Sequence, residues 1–163
     1  MQAPPCASGF AALLIVGLLA VSVVNAEQVD AHVGAWELDL SKSTFSPGPP
    51  PRRQTLFYKV DGPGLTALLQ GIDATGRPIN FDPSNLYIHF DGKDHPTPRP
   101  GYDSSAWTRI SANKYLVHRK KRGKVVLTSI NVVSSDGRTM TITTTGMNEN
   151  GRPVHDVRVY EKR

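Results

Sequence analysis

Gly34-Ala35-Trp36-Glu37-Leu38-Asp39-Leu40 decides the fold class: Trp36, Leu38 and Leu40 alternate with Glu37 and Asp39, the period of two of a half-buried β-strand. The alternation recurs at Leu56, Tyr58 and Val60 and at Leu86, Ile88 and Phe90, and Thr141, Thr143 and Thr145 alternate with Met140 and Ile142. Between these stretches stand Asp61-Gly62-Pro63-Gly64, Asp73-Ala74-Thr75-Gly76, Asp91-Gly92, Arg122-Gly123, Asp136-Gly137 and Asn150-Gly151. Glycine reaches positive φ without steric cost and Asp or Asn tolerates the left-handed region, so these pairs close tight hairpins. About eight to ten strands follow, at the spacing of a sandwich or barrel. No stretch after Ala26 has helical spacing. With each strand joined to the next by a tight turn, the fold expected is all-β, a single antiparallel up-and-down β-barrel that leaves no exposed sheet edge.

Two segments interrupt the rhythm. Ser46-Pro47-Gly48-Pro49-Pro50-Pro51 lacks the N–H groups an interior strand needs and reads as an extended polyproline connection across the barrel mouth. His95-Pro96-Thr97-Pro98-Arg99-Pro100-Gly101 reads as a second Pro-rich loop. Gly76-Arg77-Pro78-Ile79-Asn80 echoes Gly151-Arg152-Pro153-Val154-His155, which suggests two similar hairpin turns and not a duplicated unit.

The chain has 163 residues, with 19 basic against 14 acidic side chains and a net charge of +5. That length is too short for an enzyme whose cleft lies between two lobes. The first charged side chain is Glu27, and an apolar run from Phe10 through Val24 ends at Val24-Asn25-Ala26, where small or short residues suit a signal peptidase. Residues 1–26 are therefore expected to be a cleaved signal peptide, although Met1 to Ser8 carry no Lys or Arg. The run is shorter than the roughly 20 residues of a membrane-spanning helix, so no transmembrane segment is expected in the mature domain, residues 27–163. The protein is expected to be exported, to a periplasmic or extracellular compartment. The single cysteine, Cys6, precedes the run, so the mature domain would have no disulfide, cysteine nucleophile or thiolate metal site. It must be held by its apolar core, for which its length suffices.

Gly34-Ala35-Trp36 on the first strand and Arg158-Val159-Tyr160-Glu161-Lys162 on the last resemble the opening and closing signatures of the calycins, that is, the lipocalins and fatty-acid-binding proteins. Asp91-Gly92-Lys93-Asp94 and Ser41-Lys42-Ser43-Thr44-Phe45-Ser46-Pro47-Gly48 are similar to segments of secreted, lipocalin-like bacterial proteins. The resemblance runs from about Val33 to Lys162 and implies a lipocalin-like barrel that binds a small apolar or amphipathic ligand. It implies a closed end covered by Trp36, with an arginine of the last strand stacked over the ring. It also implies that Arg158 and Tyr160, two residues apart on one strand face, hold a ligand carboxylate. Where fatty-acid-binding proteins insert a helical lid, this sequence has Pro47 to Pro51. The residues alone leave a structural alternative open: Arg158 paired within the protein, with Asp156 on the same face as the internal anion, or Val157 and Val159 as the inward pair.

Of the five histidines, His32 precedes the barrel and His95 lies in a loop. His89, His118 and His155 fall on three strands without the close-spaced ligand pair typical of metal sites, and His89 and His118 sit opposite Ile88 and Val117, so no metal and no cofactor is expected. Arg119, Lys120, Lys121, Arg122 and Lys124 cluster around one hairpin turn. They suit a solvated turn that discourages edge pairing, or a docking patch for an anionic envelope surface. The second function class is therefore a non-enzymatic interaction protein with a filled barrel. Ser, His and Asp occur in no hydrolase context and no nucleic-acid-binding motif is present, so neither an enzyme nor a nucleic-acid partner is expected.

Overall fold

The computed structural model describes residues 30–80 and 87–163. The expected signal peptide and Leu86 lie outside the described residues. The described chain is all β, with eleven strands: β1 (Gly34–Thr44), β2 (Arg53–Asp61), β3 (Gly64–Ile72), β4 (Pro78–Asn80), β5 (Tyr87–Ile88), β6 (His95–Arg99), β7 (Tyr102–Ser111), β8 (Lys114–Lys121), β9 (Lys124–Val133), β10 (Thr139–Met147) and β11 (Pro153–Lys162). All pair antiparallel in the order β4-β3-β2-β1-β11-β10-β9-β8-β7-β6, and β5 pairs with β3. This is the expected up-and-down order, with β1 beside the last strand in the register Trp36 to Lys162 and Leu38 to Tyr160.

The strand count exceeds the expected eight to ten because short pieces pair where loops were anticipated. The segment from His95 to Gly101 is not a plain loop. Its first five residues form the edge strand β6, and β6 pairs only with β7, so Pro96 and Pro98 are tolerated there. Pro47 to Pro51 belong to no strand, as expected. The segment is tied down just upstream, where the Ser46 N–H donates to the Asp156 carboxylate at 3.0 Å and the Ser46 carbonyl accepts the His155 N–H at 2.7 Å.

The turns follow from their sequences. In β8–β9, Arg122 and Gly123 both take positive φ, 50° and 76°, the pattern of a type I′ hairpin. The echoing segments are two copies of one turn. The Gly76 N–H donates to the Asp73 carbonyl and the Asp73 N–H to the Arg77 carbonyl; Gly151, Asn148 and Arg152 repeat both bonds. The Asp73 and Asn148 side chains each accept from backbone N–H groups two and four residues on.

The sheet curls around a core that includes Trp36, Tyr58, Leu65, Tyr115, Val133 and Met140. The sheet does not lose its edges as expected: β4 and β6 remain its outer strands, and the two arms meet through the chain after β5, where Asp91 bridges Thr108 of β7 and the Gly92 N–H donates to the Trp107 carbonyl at 3.1 Å. Glycine at position 64 permits this closure, because a Cβ there would lie 2.3 Å from the Ile88 carbonyl oxygen. One end is sealed. Trp36 is fully buried, its Nε1 donates to the His32 carbonyl at 2.7 Å, and Lys162 Nζ lies 5.0 Å over its ring. The cation over the indole is Lys162 and not the expected arginine, because Arg158 faces the cavity and lies over Phe45 instead. His32, which the sequence sets outside the barrel, is fully buried and stacks on Tyr115 with ring centroids 3.9 Å apart.

Candidate functional site

Above the sealed end lies a cavity of about 290 Å³. Leu56, Leu69, Trp107, Leu127 and Ile142 supply its apolar wall. Strand alternation also turns polar groups inward, among them Gln54, Asn131, Thr144, Arg119, Arg158 and Tyr160. No carboxylate is found among the described residues lining it.

The inward pair of β11 is Arg158 and Tyr160, not Val157 and Val159. Arg158 Nη2 donates to the Asp156 carboxylate at 2.8 Å, and Asp156 is buried. Arg158 lies 5.5 Å over the Phe45 ring, and its Nε is buried with no partner among the described residues. Burial opposes its charge, but the Tyr160 phenol and the Asp156 carboxylate outweigh that, so the guanidinium holds its proton more firmly than usual. Burial pushes the Tyr160 phenol up, and its hydroxyl donates to Gln54 Oε1 at 3.0 Å. Asp156 therefore joins two features at once: it neutralises Arg158 and holds Ser46, the start of the Pro-rich connection.

The five basic residues of the β8–β9 hairpin do not form one patch. Arg119 has the inward parity of Tyr115 and Val117 and lines the cavity, where its Nη1 donates to Ser129 Oγ at 2.6 Å. It also lies 5.6 Å over the Tyr102 ring. No carboxylate among the described residues pairs with it. Lys120 turns outward and pairs with Asp94 at 2.7 Å. Lys121, Arg122 and Lys124 remain exposed at the turn, where Asp103 accepts the Arg122 N–H.

Among the described residues no group of three His, Cys, Asp or Glu is placed to hold a metal. His89 and His155 are exposed, and His89 stacks on His95 with centroids 3.8 Å apart. His118 is bonded to Thr128 on the outer face of the hairpin pair.

A second polar cluster seals the closed end. The Asp30 carboxylate accepts from the Tyr115 hydroxyl, the His32 ring and N–H, and Arg109, the last at 2.7 Å. Burial opposes Asp30 ionisation, but the His32 and Tyr115 hydrogen bonds and the Arg109 charge win and hold its carboxyl well below the usual range. The same burial and the Asp30 bond push the Tyr115 phenol far up. This cluster packs segment 30–33 onto β7 and β8, and Asp30, His32, Arg109 and Tyr115 do not line the 290 Å³ cavity.

No protein-family model matches the sequence, and no curated protein sequence does. The fold matches a crystal structure of zebrafish ileal bile acid-binding protein complexed with cholic acid, at a TM-score of 0.52 and 14% identity, covering 82% of this chain and 99% of that one. The chain has a calycin-like fold. In this calycin-like barrel the opening Gly34-Ala35-Trp36 and the closing Arg158 to Lys162 lie on adjacent strands, as the resemblance implies. The residues missed from sequence are Arg119, Asn131 and Thr144 as cavity groups and the buried Ser129 that bonds Arg119 and Thr144 behind them. Their parity relative to Val117 and Val133 was the available signal.

Proposed function

We propose that the protein binds a small amphipathic molecule bearing a compact anion inside the barrel. The observation that carries this reading is the inward-facing Arg119, a cavity guanidinium with hydroxyl and ring partners but no carboxylate among the described residues. Even a partly buried guanidinium such as Arg119 is costly to withdraw from water without a counter-charge, and an anionic ligand head group supplies it. Arg158 and Tyr160 contribute the second side of the head-group site: Asp156 offsets the Arg158 charge, and the buried Nε remains as a donor. The apolar wall takes the rest of the ligand, and the volume is near the lower end of small-molecule pockets. The bile acid-binding protein of the same fold, complexed with cholic acid, is consistent with such a ligand.

The protein is read as a binder: the Tyr58 and Tyr160 phenols that face the cavity are pushed up by burial, away from a base's range. Binding takes place outside the cytoplasm, on the strength of the apolar run and Val24-Asn25-Ala26; N-terminal sequencing of exported protein should begin at Glu27.

The test is titration with a fluorescent fatty acid. Arg119→Gln should weaken binding about tenfold, the equivalent of about 1.4 kcal/mol, and leave a neutral apolar probe unaffected. Unchanged fatty-acid binding in that variant would rule out Arg119 as the anion anchor.

A further inference from the structure

Ser129 and Asn131 share the inward face of β9 with Leu127 and Val133, while Ile130 between them is 39% exposed. This strand is inverted relative to an apolar core: it buries a hydroxyl and an amide and leaves a large aliphatic side chain outside. The Ser129 hydroxyl is engaged by Arg119 and Thr144, at 2.6 and 2.8 Å. Asn131 is 2% exposed, and its Oδ1 has no partner among the described residues. It lines the cavity one same-face step deeper than Ser129. A buried acceptor without a donor costs free energy, and a strand that could have carried an aliphatic residue there carries this one.

We propose that Asn131 is a second polar subsite, which accepts a hydrogen bond from a ligand hydroxyl. The inference rests on the anion-binding reading of the cavity and narrows it. The anion lies at Arg119, whose guanidinium is held at the level of Ser129, and two residues along a strand span about 7 Å. The ligand class is therefore an acid whose hydroxyl stands about 7 Å from its anionic group across an apolar spacer, such as a hydroxyaryl or hydroxyalkyl carboxylate. A cationic donor does not suit the subsite, because Arg119, which no carboxylate among the described residues pairs with, makes the cavity electropositive.

The experiment is displacement of a bound fluorescent fatty acid by phenylacetate and by 4-hydroxyphenylacetate, in which the ring separates hydroxyl from carboxylate. The wild-type protein should bind the hydroxylated acid about tenfold more tightly. Asn131→Leu should abolish the preference without weakening phenylacetate. Equal affinities in the wild type, or a preference that persists in a folded Asn131→Leu variant, would overturn the subsite and leave the anion-binding cavity standing. Failure of the fluorescent fatty acid itself to bind would overturn the cavity reading and the subsite together. Should Asn131→Leu fail to fold, the wild-type comparison decides alone.

Discussion

Lys162 is the register partner of Trp36 across β1 and β11, and its ammonium lies 5.0 Å over the indole ring. The pair joins the first strand to the last at the sealed end, where the indole N–H also holds the His32 carbonyl. Loss of a buried aromatic costs about 3–5 kcal/mol, so Trp36→Ala should lower the thermal midpoint severely. Lys162→Met keeps the aliphatic cover and removes an exposed cation–π contact worth about 0.5–1 kcal/mol. A calorimetric scan in which Trp36→Ala melts like the wild type would show that the indole does not hold the end closed.

The Asp30 cluster predicts acid sensitivity with a defined sign. The folded-state pKa of Asp30 is depressed, so its contribution is fully present above the unfolded aspartate pKa of about 3.9 and is lost as pH falls below it. Replacing a carboxylate that accepts several hydrogen bonds, one from a guanidinium, should cost about 2 kcal/mol at neutral pH. Asp30→Asn should also flatten the decline in stability below pH 4. It will not abolish it, because Asp73, held down to about 2 first by the Thr75 hydroxyl, and Asp39, Asp91 and Asp136 are depressed too. Denaturant melts at several pH values give the slopes.

Gly64 is the position where the barrel closure tolerates no side chain. A Cβ would strike the Ile88 carbonyl and the Tyr87 ring, so Gly64→Ala should push β5 off β3 at a cost of about 1–3 kcal/mol. Hydrogen exchange should report faster exchange at Ile88 and Leu65, and unchanged protection there would contradict the close approach.

Arg158 and Asp156 should behave as a coupled pair. Arg158→Gln leaves a buried carboxylate with only the Ser46 N–H, whereas Arg158→Gln with Asp156→Asn leaves no charge behind. The Arg158 side chain is 35% exposed, which weakens the pair, so a coupling energy of about 1–2 kcal/mol is expected from a double-mutant cycle. Additive losses would mean that the two side chains act independently.

The fold was legible because alternation and turn chemistry agree at most boundaries. Trp36, Leu38, Leu56 and Tyr58 are buried where period two puts them, although Leu40 and Val60 of the same alternations are exposed, and each Asp-Gly or Asn-Gly pair noted after β8 sits in a turn. The Pro-rich edge strand β6 was not legible, because an edge position releases proline from the hydrogen-bonding demand that marks it as loop. The site was legible only in part. Arg158 and Tyr160 stood out through the resemblance, but Arg119 was grouped with its charged neighbours even though its parity matches Val117. The inverted polarity of β9 misleads any reading that assigns apolar residues to the inside: Ser129 and Asn131 are buried and Ile130 is not. His32 gave no periodic signal, since tertiary contacts with Tyr115, Tyr58, Asp30 and Trp36 bury it.

The most direct measurement compares decanoate with decanol, matched in chain and different in charge, by calorimetric titration of the wild-type protein at low salt. An electropositive cavity predicts that decanoate binds at least about tenfold more tightly, a difference of about 1.4 kcal/mol, and that the advantage shrinks in Arg119→Gln. Equal affinities, tighter binding of decanol, or no heat from either at millimolar concentration would contradict an anion-binding barrel.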